Sequence, residues 1–253
     1  MTLTDAQLDR YARHIILKEV GGAGQLRLLA GHALVIGAGG IDSPALQYLA
    51  AAGVGRITLV DDDRVDASNL QRQTLFGTAD IGAPKVEAAA AAIARLTPDA
   101  RIETRRLRID AATAPALLRG VDVVLDGCDN FATRLAVADA ALAARVPLVS
   151  AAVGAWEGQL GVFRGWERNL PCYRCFVGDD PEREAATCAD QGVVGAVTGV
   201  VGSMAALEVI RALVPFGDDP AGSVWLFDAL AGRSRTIRLP KDPACPACGA
   251  LAA

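Results

Sequence analysis

Across 253 residues the chain is 52% apolar and 21% charged, and 25 Lys and Arg against 29 Asp and Glu leave a net charge of −4. That balance excludes a disordered tail, a collagen-like polymer and a disulfide-dense mini-protein. With no basic block the chain also lacks the electrostatic footprint of phosphate-backbone binding, so nucleic acid is not an expected partner.

The opening stretch MTLTDAQLDRYARH carries charges where a signal peptide needs an apolar core, and a cytoplasmic location is expected. Thr4 and Gln7 have capping-box spacing, and Leu8, Tyr11 and Ile15 continue at helical period, which predicts a leading helix up to Val20. Ala33 to Ile36 reads as a fully buried strand. Glycines follow it, then a Ser43-Pro44 pair suited to N-cap and N1, and a helix that stops near Gly53. Ile57 to Val60 is the next strand, Pro84 opens an Ala-rich helix that Pro98 closes, and Val121 to Leu125 is a further strand. A helix from about Phe131 to Arg145 leads to a strand at Leu148 to Ala151. This alternation predicts a parallel, doubly wound sheet.

After residue 152 the pattern changes. Gln159 to Phe163 and Val224 to Phe227 read as separate strands around a cysteine-bearing loop and an apolar stretch, Gly192 to Leu207. That stretch carries the small-residue spacing Gly195, Gly199 of membrane helices, but Asp190, Glu208 and Arg211 bracket it below the length of a span. A buried helix and no membrane partner are therefore expected. The fold class is α/β: a Rossmann-like, doubly wound, mostly parallel sheet that continues into a mixed sheet, with a structural zinc site.

Gly37-Ala38-Gly39-Gly40 lies between a predicted strand and a predicted helix, where backbone N–H groups can approach phosphates; the same glycines would also serve a tight turn. Asp61 closes the next strand about 20 residues on, where a carboxylate can accept hydrogen bonds from ribose hydroxyls. The third glycine of the dinucleotide fingerprint would fall at position 42, which is Asp42, and a carboxylate there is expected to compete with phosphates and weaken nucleotide binding. Asn69, Arg72 and Lys85 lie just outside regular elements, where they suit a triphosphate or a solvated surface equally. Asp129 and Asn130 follow a strand end; the pair could hold Mg²⁺ or cap a helix.

Cys172-x-x-Cys175 and Cys245-x-x-Cys248 supply four thiolates, the tetrahedral donor set of a closed structural Zn²⁺ site, with a thiol redox pair as the alternative. Cys128 reads as a small buried hydrophobe. Cys188, in a polar stretch before the apolar helix, reads either as a nucleophile or as a passive thiol. His14 and His32 are the only histidines, neither has metal-type spacing, and no G-x-S-x-G occurs, so hydrolase sites have little support.

Taken together, RYARHIIL, GAGGIDSPALQYLAAAGVG, SNLQRQTLF, PKVEAA, LDGCDN, CYRC, TCADQGVVG and CPACG resemble the ubiquitin-activating-enzyme-like adenylyltransferases of molybdopterin and thiamine biosynthesis, from Arg10 to Gly249. The resemblance implies Mg·ATP-dependent adenylation of the C-terminal glycine of a small ubiquitin-fold sulfur-carrier protein, with release of pyrophosphate. It implies that Gly39 and Gly40 border the phosphates, that Asp61 takes the ribose, and that Asn69, Arg72 and Lys85 contact the triphosphate. Asp129, beside Asn130, would position Mg²⁺. Arg13 matches a residue supplied across a twofold homodimer into the neighbouring site, and Cys188 matches a cysteine that some members use covalently. One adenylating domain, 1–253, is implied: a helical segment at 1–31, a nucleotide-binding half at 32–152 and a carrier-binding half with zinc at 153–253. No rhodanese-like stretch follows the zinc cysteines, so a separate protein is the expected sulfur donor. The carrier stays open between the two pathways, with SNLQRQTLF and CYRC leaning to molybdopterin. An NAD-dependent Rossmann oxidoreductase and a non-catalytic, zinc-stabilised partner-binding module are the rival readings.

Overall fold

The computed structural model describes residues 2–180 and 192–252. One eight-stranded sheet runs through it, in the order β3-β2-β1-β4-β5-β6-β7-β8. The strands β1 (His32–Ile36), β2 (Arg56–Val60), β3 (Arg101–Arg105), β4 (Val123–Asp126) and β5 (Leu148–Gly154) are parallel neighbours. From β5 onward β6 (Glu157–Phe163), β7 (Ser223–Asp228) and β8 (Arg233–Arg238) pair antiparallel, so the expected mixed sheet is present.

Every residue of β1 and β4 is buried, as expected of parallel strands covered on both faces. Ala33 and Val35 point to one side, where α4 (Asp42–Ala51), α5 (Lys85–Ala94) and α9 (Gly195–Leu213) supply Leu46, Ile93 and Val201. Leu34 and Ile36 point to the other, against Leu118 after α6 (Ala114–Leu117) and Leu135 and Ala138 of α7 (Phe131–Ala144). Ile36 is level with Val60 on one side and with Asp126 on the other. The loops after β1, β2 and β4 therefore open at one edge, and β1 is flanked by strands whose connections leave in opposite directions, the place where α/β sheets bind ligands.

Several elements differ from expectation. The capping box at Thr4 forms, but the leading helix breaks into α1 (Asp5–Arg10) and α2 (Ala12–Ile15), and a glycine-rich α3 (Gly21–Ala30) follows. Tyr11 sits at the break with its hydroxyl 2.8 Å from Asp99, and that long-range anchor outweighs a continuous local helix. Ser43 is not an N-cap: α4 starts one residue earlier, and the Ser43 hydroxyl donates to the Gly39 carbonyl at 2.8 Å. The strands β3 and β8 were not foreseen, nor was the short helix α8 (Tyr173–Val177). Helix α9 is long and apolar enough to cross a membrane, running through Glu208 and Arg211 instead of stopping before them. Those two charges pair at 2.9 Å, while Val197, Val201, Ala205 and Val209 are buried in the protein core, so the stretch is a core helix.

The glycine loop rests on Asp42. Gly37 turns with φ +104°, a conformation that favours glycine. The Asp42 side chain is fully buried, and its Oδ2 accepts the Gly39 N–H at 3.0 Å. A Cβ at Gly127 would overlap the carboxylate, so the absence of a side chain there makes its room. Asp42 lines the same cleft as the loop, and its carboxylate takes the Gly39 N–H, the competition for a loop donor expected from sequence, while the space above Gly127 accepts it beneath the loop.

Burial pushes the Asp42 carboxyl up to about 7, against the opposing Gly39 N–H, with Asp61 and Asp126 adding to the rise and Arg134 opposing it. The folded state therefore keeps a proton that the unfolded chain releases near its ordinary value of about 3.9. Between those values the native state binds more protons, so this group's contribution to stability declines as pH rises, by up to about 1.4 kcal/mol per pH unit. Asp42→Asn is expected to flatten that decline between pH 4 and 7 in urea denaturation, and parallel curves for the two proteins would contradict it.

Candidate active site

A cleft of about 400 Å³ opens at the carboxyl edge of β1, β2 and β4. Gly39, Gly40, Asp61, Asn69, Arg72, Lys85, Asp129 and Asn130 all line it, so every residue named from sequence for a nucleotide meets in one place. Asp61 is held from two directions: its Oδ2 accepts the Ala38 N–H and its Oδ1 the Asp63 N–H, each at 2.8 Å. Burial raises its pKa above the ordinary carboxylate value, with the Lys85 cation opposing.

Lys85 opens α5 just after Pro84, and its buried Nζ lies 2.8 Å from Oδ2 of the exposed Asp63. Arg72 donates to the Ser68 carbonyl at 3.1 Å, next to the short 3₁₀ turn Ala67–Asn69 that Asp66 caps. Both cations line the cleft beside Leu70 and Val86, which pack on the α4 and α5 face of the sheet. Asn130 caps α7 by accepting the Thr133 N–H at 3.0 Å, which commits its carboxamide oxygen to the helix. Asp129 is exposed, and among the described residues it has no hydrogen bond or ion pair. Gln73 was missed from sequence: it is buried, lines the cleft and among the described residues leaves its Oε1 without a partner.

Behind the strand ends lies a buried network, also missed. Arg134 pairs with Asp126 at 3.3 Å and donates to the Ser150 hydroxyl at 3.0 Å and the Ala151 carbonyl at 2.8 Å. Cys128 is half-buried and packs against the core, as read from sequence, and its thiol also donates to Asp126 Oδ1 at 2.9 Å, because the chain turns back over the carboxylate directly after β4. Burial and Asp126 together push that thiol well above the usual range, so it is poorly suited to act as a thiolate. A second cleft of about 890 Å³ adjoins the first, sharing Gly127, Cys128 and Asp129, and continues along β6 and β7 past Gln159 and Phe227 to Arg233 and Arg235.

The four cysteines come together outside both clefts, although Tyr173 beside Cys172 lines the second. Neighbouring sulfur atoms are 3.4, 3.6 and 3.8 Å apart, and all four lie within 4.8 Å of one another. Zinc–sulfur bonds of about 2.3 Å place tetrahedral ligands about 3.8 Å apart, so the donor set fits Zn²⁺. Both histidines are structural: His14 faces Gln25 at 3.0 Å, and His32 is held between the Gly120 carbonyl at 2.7 Å and the Thr58 hydroxyl at 2.8 Å. Arg13 is exposed on α2 and does not line the cleft of its own chain. Cys188 lies outside the described residues.

Chemically the first cleft can bind a polyanion along one wall, orient a ribose at Asp61 and offer a free carboxylate where it meets the second. Comparison with known proteins agrees with that geometry. A family profile described as ThiF family matches residues 11–247. The SAMP-activating enzyme E1 of Haloferax volcanii is 42% identical over 250 residues, covering 98% of this chain and 92% of that protein. The sulfur carrier protein adenylyltransferase of Thermus thermophilus is 42% identical over 253 residues, covering 98% and 93%. The adenylyltransferase and sulfurtransferase MOCS3 of Bos taurus is 48% identical over 249 residues, 98% of this chain, which spans 54% of that longer protein. The structure of E. coli MccB with ATP superposes with a TM-score of 0.81 over 97% of this chain and 75% of that one, at 20% identity, a likeness of fold. The profile runs from Tyr11 through the glycine loop and every cleft residue named above, and two relatives match along almost their whole length: the chain belongs to the ThiF family.

Proposed function

We propose that this chain adenylates the C-terminal glycine carboxylate of a small ubiquitin-fold sulfur-carrier protein with Mg·ATP, releasing pyrophosphate, in molybdopterin or thiamine biosynthesis. The observation that carries the reading is the convergence of the phosphate, ribose and carboxylate residues on one cleft, beside a second cleft roomy enough for an extended peptide tail. The named relatives, an activating enzyme and adenylyltransferases, support the same reaction class.

A carboxylate becomes a good acyl donor when its oxygen attacks the α-phosphate, forming a mixed anhydride as the bond to pyrophosphate breaks. That step needs orientation and charge stabilisation more than a general base, which suits a chain whose two histidines are spent on structure. The Gly40 N–H, which among the described residues has no acceptor while those of Gly37, Ala38 and Gly39 are taken, would meet the phosphates, and Asp61 would hold the ribose. Arg72 and Lys85 would meet the charge that develops on the departing pyrophosphate, Lys85 by releasing Asp63. Asp129, free and at the junction of the clefts, is the residue that would hold Mg²⁺. When bound, the metal supplies neutralisation of phosphate charge.

The Cys172, Cys175, Cys245 and Cys248 cluster would hold a structural Zn²⁺, fastening the last residues to the body. A homodimer is proposed, with Arg13 reaching the neighbour's cleft; exposed Ile16 and Leu17 beside it, at 74% and 50%, suit burial in a partner. Cys188 would be dispensable for adenylation.

Carrier-dependent exchange of label between pyrophosphate and ATP is expected, and Lys85→Ala should lower it about 100-fold or more. No exchange with carriers of either pathway at saturating Mg·ATP would defeat the reading. Elemental analysis should find one zinc per chain, and its removal by chelation should lower Tm on the order of 10 °C; a fully folded, metal-free preparation with unchanged Tm would rule out the staple. Mixed dimers of Arg13→Ala and Lys85→Ala subunits should regain activity at one of two sites, whereas inactive, verified heterodimers would place Arg13 elsewhere.

A further inference from the structure

The nucleotide cleft has a second wall. After β3 the chain runs through Leu107, Arg108 and Ile109, and the Thr133 hydroxyl of α7 donates to the Ile109 carbonyl at 3.2 Å, fastening this segment across the cleft. Leu107 and Ile109 give this wall an apolar surface, and Arg108 stands between them in sequence, exposed and lining the cleft.

Arg108 differs from the cations around it. Lys85 holds Asp63 and Arg72 holds the Ser68 carbonyl, both on the opposite wall. Arg56 of β2 and Arg101 and Arg105 of the edge strand β3 converge on Glu103. Arg108 alone among the cleft's exposed or half-buried cations has no hydrogen bond or ion pair among the described residues.

With ATP as the substrate, a reading on which this inference rests, the phosphates belong beside Gly40 and to Arg72 and Lys85, and the ribose to Asp61. What is left for the base is the wall of Leu107 and Ile109. A guanidinium is planar, weakly hydrated and able to lie against an aromatic face, which an ammonium does far less well. We infer that Arg108 is a base-recognising residue of the nucleotide cleft, closing its flat guanidinium over the purine ring of ATP and contributing to nucleotide selection, not to phosphate binding.

The test is binding of ATP, CTP and inorganic tripolyphosphate at fixed Mg²⁺ to the full chain and to Arg108→Ala and Arg108→Lys, with far-UV circular dichroism confirming the fold. Arg108→Ala is expected to weaken ATP about 5- to 30-fold, to reduce the preference for ATP over CTP, and to leave tripolyphosphate within about twofold. Arg108→Lys should not restore ATP affinity, because the charge remains but the plane is lost. Equal weakening of ATP and tripolyphosphate, or full rescue by lysine, would make Arg108 a phosphate clamp and overturn the inference, as would unchanged ATP binding. A wild-type protein that binds tripolyphosphate but discriminates no nucleotide would also overturn it. Wild-type protein that binds no ATP would overturn the adenylation reading itself and this inference with it.

Discussion

Arg134 is buried where the parallel part of the sheet meets the rest, and its cation joins elements that border both clefts. One nitrogen reaches Asp126 at the end of β4 and Ser150 in β5, and another reaches the Ala151 carbonyl. An unpaired guanidinium in that position would cost several kcal/mol, so α7, β4 and β5 are held in one arrangement or not at all. Asp126 spends its other oxygen on Cys128, and so the turn that carries Asp129 leaves the sheet from a fixed point. Both the nucleotide cleft and its neighbour inherit their shared border from this network.

The cleft floor is unusually acidic for a site that takes a polyphosphate. Asp42, Asp61 and Asp126 all sit at or beneath it, and the last two raise the cost of ionising the first. Two features offset this. Asp126 is neutralised by Arg134, and Lys85 is directed at the cleft from the head of α5, close enough to act on Asp61. The negative groups are thus committed to backbone N–H donors and to Arg134, while Arg72 and Lys85 bring positive charge to the same cleft. Adenylation asks for that division, because charge develops on the leaving pyrophosphate and not on the carrier carboxylate.

The sequence was most legible where function and local geometry coincide. Gly37 to Gly40, Asp61 and Lys85 are spaced by a strand–loop–helix unit, so their meeting followed from topology once the parallel sheet was recognised. The cysteine pairs announced their own contact by spacing. The edge strands were hidden: RIETR of β3 and RSRTIR of β8 are mostly polar and half or fully exposed, so they lack the apolar run that marks the central strands. Gly21 to Ala30 forms a helix despite its glycines because Gln25 and Leu28 are completely buried, a tertiary effect that propensity does not contain. Arg134 and Arg108 look alike in sequence, and only the fold separates the buried strut from the free side chain.

The contact between Asp42 and Gly127 also limits how such a sequence can drift. No side chain fits at 127 while the carboxylate fills the adjoining space, whereas shrinking residue 42 creates no overlap and costs the Gly39 N–H its acceptor. Substitutions at the pair are therefore ordered: 42 must become smaller before 127 can become larger, and the reverse route passes through a steric overlap. Lineages on the two sides of that step would carry an acid facing a glycine, or a small residue facing a side chain, with the mixed large pair missing. A mutational library that varies either position alone would sample only one half of what the loop can tolerate.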